Sequence, residues 1–178
     1  MDHAASMAAA RRICGALGAC VLLSLILPLG SACLLGLSLP AVYGLIASAF
    51  LIEYGSIPLG IGLGLPAAYV LCAATSIEAG IFLGIFGLLD TLGHTSERVA
   101  GLLARIKAIA ARSRMFDRYG IAGLVPCEIL IGVYICAPVS WLFGWQKGRA
   151  FAITMAGYCI AAVATLLATL GLLRLIGQ

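Results

Sequence analysis

Charge is what this sequence has least of. Eleven Lys or Arg and seven Asp or Glu are spread over 178 residues, 10% of the chain, where soluble domains carry about 25%. Apolar residues make up 63%. So few charges cannot cover the surface of a soluble globule of this size. That excludes a soluble enzyme, a nucleic-acid-binding module and a disordered chain. Histidine is nearly absent: His3 and His94 stand far apart, with no partners at metal-ligand spacing. Cysteine is present seven times (Cys14, Cys20, Cys33, Cys72, Cys127, Cys136 and Cys159), but never as a C-x-x-C pair and always in an apolar run. Such cysteines act as small hydrophobes. No Ser/His/Asp set and no phosphate-binding glycine loop occurs. The chain is therefore read as a non-enzyme, with no cofactor and no metal.

What is there is long uncharged runs. From 13 to 89 the only ionisable acids are Glu53 and Glu78, and no Lys or Arg occurs. From 119 to 146 the only charge is Glu128, and from 150 to 173 there is none. Runs of this length read as membrane spans. The 150–173 run rises about 36 Å as helix, enough for one tilted span. The 13–52 run is too long for one span and awkward for two. Arg11-Arg12 before an apolar run imitates a signal peptide. With the rest of the chain embedded, an uncleaved first span with a topology signal fits better. The expected location is the inner (cell) membrane of a prokaryote, with many passes.

Helix breakers interrupt the runs. Pro40, Pro58 and Pro66 accompany Gly55, Gly60, Gly62 and Gly64, and Pro126 and Pro138 accompany Gly132 and Gly144. Pro28, alone in the first span, reads as a simple kink. Broken backbone at membrane depth must face protein or a wet cavity, because lipid offers it no hydrogen bonds. Two re-entrant hairpins are expected, at about 40–65 and 120–144, over the opposing reading of kinked but continuous spans. Gly55, Ser56, Pro58, Pro126, Gly132 and Pro138 are expected to line a cavity at their breaks. Ser56 with Pro58, and Ala137 with Pro138, look like half-helix starts whose free N–H groups attract anions.

The single membrane domain then divides into a cytoplasmic tail (1–12), a first half (13–90), an Arg-rich segment (91–118) and a second half (119–178). The Arg-rich segment holds Arg98, Arg105, Lys107, Arg112, Arg114 and Arg118 against Glu97 and Asp117. Val99, Leu102, Leu103, Ile106 and Ala110 form one apolar stripe. An amphipathic interfacial helix is expected, with Arg98, Arg105, Lys107 and Arg112 on anionic headgroups. Hairpins in these places put nearly every cation, the N-terminus and 91–118 on the cytoplasmic side, as the positive-inside rule asks. The hairpins enter from opposite faces, so the fold class is an all-α integral membrane protein with an inverted repeat, as in many secondary transporters. Gly80, Gly84 and Gly87 form a small-residue face for close helix packing, within the monomer or across a homodimer.

Glu53, Glu78 and Glu128 are the sharpest chemical features. A carboxyl at membrane depth marks a proton or substrate pathway by default. The opposing reading is a protonated Glu bonded to a freed backbone carbonyl. Trp141 and Trp145 read first as an interfacial aromatic belt.

Glu53-Tyr54-Gly55-Ser56-Ile57-Pro58-Leu59-Gly60 with Gly64-Leu65-Pro66 resembles the first motif of the small multidrug export protein family. Asp117-Arg118-Tyr119-Gly120 resembles its central segment, and Gly144 through Ala150-Phe151 its C-terminal motif. That family looks related to the DedA-like membrane proteins. The family pattern often has Asn where Glu78 aligns, and Pro-Gly-Thr-Gly where this chain has Pro126-Cys127-Glu128-Ile129. The resemblance implies a proton-coupled transporter of an amphiphile such as a polyprenyl-phosphate or phospholipid headgroup. Two rivals stand beside it: an exporter of lipophilic cations, and a non-transporting scaffold that recruits partners or lipid. The expected partners are the bilayer, an amphiphilic substrate and protons, with no nucleic acid.

Overall fold

The computed structural model describes residues 3–92, 101 and 118–176. Arg98, Arg105, Lys107 and Arg112, and with them the interfacial helix, lie outside the described residues. Regular structure among the described residues is helical throughout. Among the described residues, four stretches are long and apolar enough to cross a membrane: Ala10–Leu34, Leu39–Gly62, Ala67–Thr91 and Lys147–Leu175. The outer surface is apolar, with Leu34, Leu51 and Leu130 89%, 82% and 78% exposed. These features are compatible with a multi-pass membrane protein, in which such side chains meet lipid rather than water.

The first rod is α1 (His3–Val21), a π-helical turn (Leu22–Ile26) and α2 (Leu27–Leu34). Pro28 does more than kink this rod. It lacks an N–H for the normal ladder, and the turn before it widens to the π form. The Pro28 carbonyl accepts from Tyr69 Oη at 2.7 Å. The central helix α5 (Ala67–Leu92) packs along α1 in a fixed antiparallel register. A Cβ on Gly80 would overlap Ser24 Oγ, one on Gly84 would lie 3.0 Å from Cys20 Cβ, and one on Gly87 would overlap Ala16 Cβ. The small-residue face is thus filled within the monomer. Two hydroxyls cross the contact reciprocally: Ser24 Oγ donates to the Ile77 carbonyl and Ser76 Oγ to the Leu23 carbonyl.

Between these rods run α3 (Leu39–Ile52), a 3-10 turn (Glu53–Gly55) and α4 (Ser56–Gly62). Although Leu39–Gly62 has the length of a span, it is not one straight helix. Leu63 Cδ1 lies 3.0 Å from a Cβ built on Gly44, and Leu45 Cδ1 lies 3.0 Å from one on Gly60. A straight helix would hold 44 and 63 about 28 Å apart. The chain therefore turns back at 53–55. A second turn-back follows the 3-10 turn Gly120–Gly123. Here α6 (Leu124–Ile131) and α7 (Val133–Leu142) meet at Gly132, and Cys136 Sγ reaches the Leu124 carbonyl at 3.9 Å. The last helix is α8 (Lys147–Ile176). Pro138 lies inside α7, and the half-helix begins at Val133 instead of Ala137. Glycine at 132, with φ 95° and ψ 179°, makes the break there, in a region closed to side-chain-bearing residues.

Three helix ends share one cap. Gly36, Gly64 and Gly144 adopt φ 65°, 81° and 68°. The residue after each donates back to the helix: Leu37 to Ala32, Leu65 to Gly60, and Trp145 to Ser140. That is the Schellman arrangement with an apolar residue following the glycine.

Gly80→Val tests the α1–α5 register. The added atoms have no space against Ser24 and Cys20, so about 2 kcal/mol of destabilisation is expected. A lowered thermal transition of the detergent-solubilised protein would report it, and Gly62→Ala, whose Cβ meets nothing, should leave the transition nearly unchanged.

Candidate functional site

The two turn-backs meet each other, and their junction gathers the three embedded acids. One carboxyl oxygen each from Glu53, Glu78 and Glu128 lies within 4.8 Å of the other two. Glu53 comes from the first turn, Glu78 from the middle of α5, and Glu128 from α6. Spacing along the sequence does not show this group, because its members lie on separate elements. Its oxygens are close enough to surround a single ion or to share protons.

Burial separates the three. Glu78 is 1% exposed and Glu128 fully buried, whereas Glu53 lines a cavity of about 330 Å³ with Leu51, Ile52, Tyr54, Ile129, Leu130, Ile131 and Tyr134. Glu53 is thus the carboxyl reached from outside, with the other two sealed behind it. Of the predicted cavity residues, Ser56 is instead buried and donates to the Glu53 carbonyl at 2.6 Å. Gly55 and Gly132 sit at the two turns, Pro58, Pro126 and Pro138 lie within α4, α6 and α7, and none of the five is among the residues lining this cleft.

The Glu53 backbone has φ 41° and ψ −101°, a conformation L-residues rarely adopt. It turns the carboxyl onto the start of α7. The backbone N–H groups of Val133 and Tyr134 face that carboxyl, and a Cβ on Gly132 would overlap it. Gly132 therefore serves both the backbone break and the close approach of Glu53. The positive end of the α7 dipole meets an acid there.

Two tyrosines close the junction reciprocally. Tyr54 Oη donates to the Glu128 carbonyl at 3.0 Å and lies 3.3 Å from Glu128 Oε1. Tyr134 Oη donates to the Phe50 carbonyl at 2.6 Å. Tyr134 thereby satisfies a carbonyl in the last turn of α3, where the helix ends, whereas the Glu128 carbonyl also accepts from the Gly132 N–H at 3.0 Å and takes Tyr54 as a second donor. Tyr54 also stacks on Tyr158 of α8, with centroids 5.3 Å apart. Residue reading singled out the acids but missed Tyr54, Tyr134 and Tyr158 as partners. A signal was present: Tyr54, Pro58 and Gly64 match Tyr134, Pro138 and Gly144 at one common sequence offset.

Among the described residues, three buried side-chain oxygens have no partner: Glu78 Oε1, Glu128 Oε2 and Thr154 Oγ1. Thr154 lies on α8 one turn before Tyr158. Phe82 of α5 packs edge-on to Phe151 of α8 at 5.6 Å. One turn from Phe82 is Glu78, and one turn from Phe151 is Thr154, so the antiparallel helices bring both to one level. No Lys or Arg stands among the described residues that line the cleft. Three ionised carboxylates so placed would repel one another in a low dielectric. Protons or a cation must therefore neutralise them.

No family model, curated protein or solved structure matches the chain.

Gly132→Ala should be among the most damaging single-methyl changes in the chain. It strains a φ of 95° and displaces the Glu53 carboxyl, so about 2 kcal/mol or more is expected. Thermal unfolding of the solubilised protein measures it. Gly148→Ala, in open space, should be nearly neutral.

Proposed function

We propose that this chain is a proton-linked secondary transporter whose coupling site is Glu53, Glu78 and Glu128, and that its cargo is a lipophilic cation. The observation that carries the reading is the meeting of three acids at two broken segments, with no basic residue among the described residues that line their cleft. A carboxyl at membrane depth is a proton or ion site by default, and three together strengthen that expectation.

Choice of cargo follows from what the cleft offers. A phosphate headgroup needs cations or free N–H donors. Here the amides at the start of α7 already face Glu53, and α4, with seven residues, is too short to present a strong dipole. An organic cation instead finds one reachable carboxyl, two tyrosine faces (Tyr54 and Tyr134), and apolar walls from Leu51, Ile52 and Ile129–Ile131. The polyprenyl-phosphate reading is accordingly the weaker one. A scaffold would have no use for buried, uncompensated acids. In the proposed cycle, a cation entering the cleft pairs with Glu53, and the protons that neutralise the triad leave to make room for its charge. Protons re-entering from the other side displace the cation.

The name of the small multidrug export family suggests this cargo, whereas the wider resemblance implies a phosphate-bearing headgroup. The turn-backs at 53–55 and 132 support reading both segments as re-entrant hairpins. The reciprocal tyrosine bonds and the shared Tyr-Pro-Gly spacing support an inverted repeat. On that reading the N-terminus, Arg11, Arg12, Lys147 and Arg149 face the cytoplasm of a prokaryotic cell.

Proteoliposomes with an acidic interior should accumulate tetraphenylphosphonium as protons leave. Glu78→Gln and Glu128→Gln should each lower that gradient-driven uptake about tenfold or more, with orientation and insertion verified. Uptake that ignores the gradient, or survives both substitutions, would contradict the proposal, as would transport of a polyprenyl-phosphate analogue in place of the cation.

A further inference from the structure

A second polar cavity lies at the other end of α5, more than three helical turns from Glu78. Its volume is about 360 Å³, and Arg12, Gly15, Ala16, Ala19, Leu83, Gly87, Asp90, Thr91 and Lys147 surround it. Packing register sets its charges. Because Ala16 faces Gly87 and Cys20 faces Gly84, the next turn of α1 brings Arg12 to the level of Thr91 and Asp90. From the third side, α8 begins with Lys147, whose Nζ lies 5.8 Å over the Phe86 ring. Phe86 and Asp90 share one face of α5.

Three charges of both signs therefore converge on one space from three helices. Arg12, Asp90 and Lys147 nevertheless form no ion pair with one another or with any other residue among those described. Cations at this end are what the positive-inside rule asks for, but that rule does not account for Asp90. Not paired among the described residues, these groups offer donors for an anion between Arg12 and Lys147 and an acceptor for a cationic donor at Asp90.

We propose that this cavity binds a zwitterionic phosphoamine, a phosphodiester joined to a primary ammonium, as on an ethanolamine-type lipid headgroup. Arg12 and Lys147 hold the phosphate oxygens. Asp90 accepts the ammonium N–H groups. A choline group has no N–H to give it, so a phosphocholine should bind more weakly. An anionic phosphoglycerol leaves Asp90 facing like charge. The proposal does not depend on the transport reading, because none of these residues belongs to the carboxyl site.

Native mass spectrometry of the detergent-solubilised full chain tests it, with equimolar phosphatidylethanolamine, phosphatidylcholine and phosphatidylglycerol added. One phosphatidylethanolamine should be retained per chain, about tenfold in preference to either competitor. Arg12→Gln with Lys147→Gln should abolish that retention. Asp90→Asn should remove the preference over phosphatidylglycerol while leaving phosphate-dependent retention. All three sites carry exposed or half-buried side chains, so folding should survive, and an unchanged thermal transition would verify it. Soluble glycerophosphoethanolamine in excess separates the sources. Displacement of the lipid assigns the headgroup alone, and persistence assigns the intact lipid. Equal retention of the three lipids, or retention indifferent to the substitutions, would overturn the proposal.

Discussion

A helix broken inside an apolar environment leaves backbone groups that nothing around it can satisfy, and each costs several kcal/mol if left alone. The described residues contain two such breaks, at 53–55 and at Gly132. The two meet each other. Tyr54 supplies a donor to the last turn of α6, and Tyr134 supplies one to the last turn of α3. Glu53 meets the first amides of α7. The Phe50 carbonyl gains its donor from the other half, and Glu128 a second one besides the Gly132 N–H, so hydrogen bonds add to the packing that holds the two halves together.

The site follows from that requirement. Bringing the breaks together carries Glu53 and Glu128 to one point, and α5, the helix packed against both halves, adds Glu78. Desolvating an ionised carboxylate costs several kcal/mol even after relaxation, and this cluster has three carboxyls with no basic residue among the described residues that line its cleft. The fold is tolerable only with that charge neutralised. Protons and cations are the mobile species that can do so, and each excludes the other. Exchange between them is what a coupled carrier requires.

Much of this was legible in the residues. The scarcity of charge implied a membrane, the Pro and Gly clusters implied breaks, and the three acids stood out because nothing else in their runs was charged. The location of the second break was less legible. Pro126 and Pro138 are the more visible breakers, yet Pro138 sits within α7 and the chain turns at Gly132, where a close approach by Glu53 demands a glycine. Convergence of the acids was not legible at all, since a tertiary contact between distant elements leaves no local spacing. Tyr54 and Tyr134 were hidden for a different reason: tyrosine is common at membrane depth, and only the repeated Tyr-Pro-Gly interval set these two apart.

Proton release on cation binding tests the central claim most directly. Tetraphenylphosphonium would be added to purified protein in weakly buffered detergent solution, and the pH followed with an indicator dye. The account predicts acidification that saturates with binding and is lost in Glu78→Gln and Glu128→Gln. Binding without proton release, or release that persists in both variants, would contradict it.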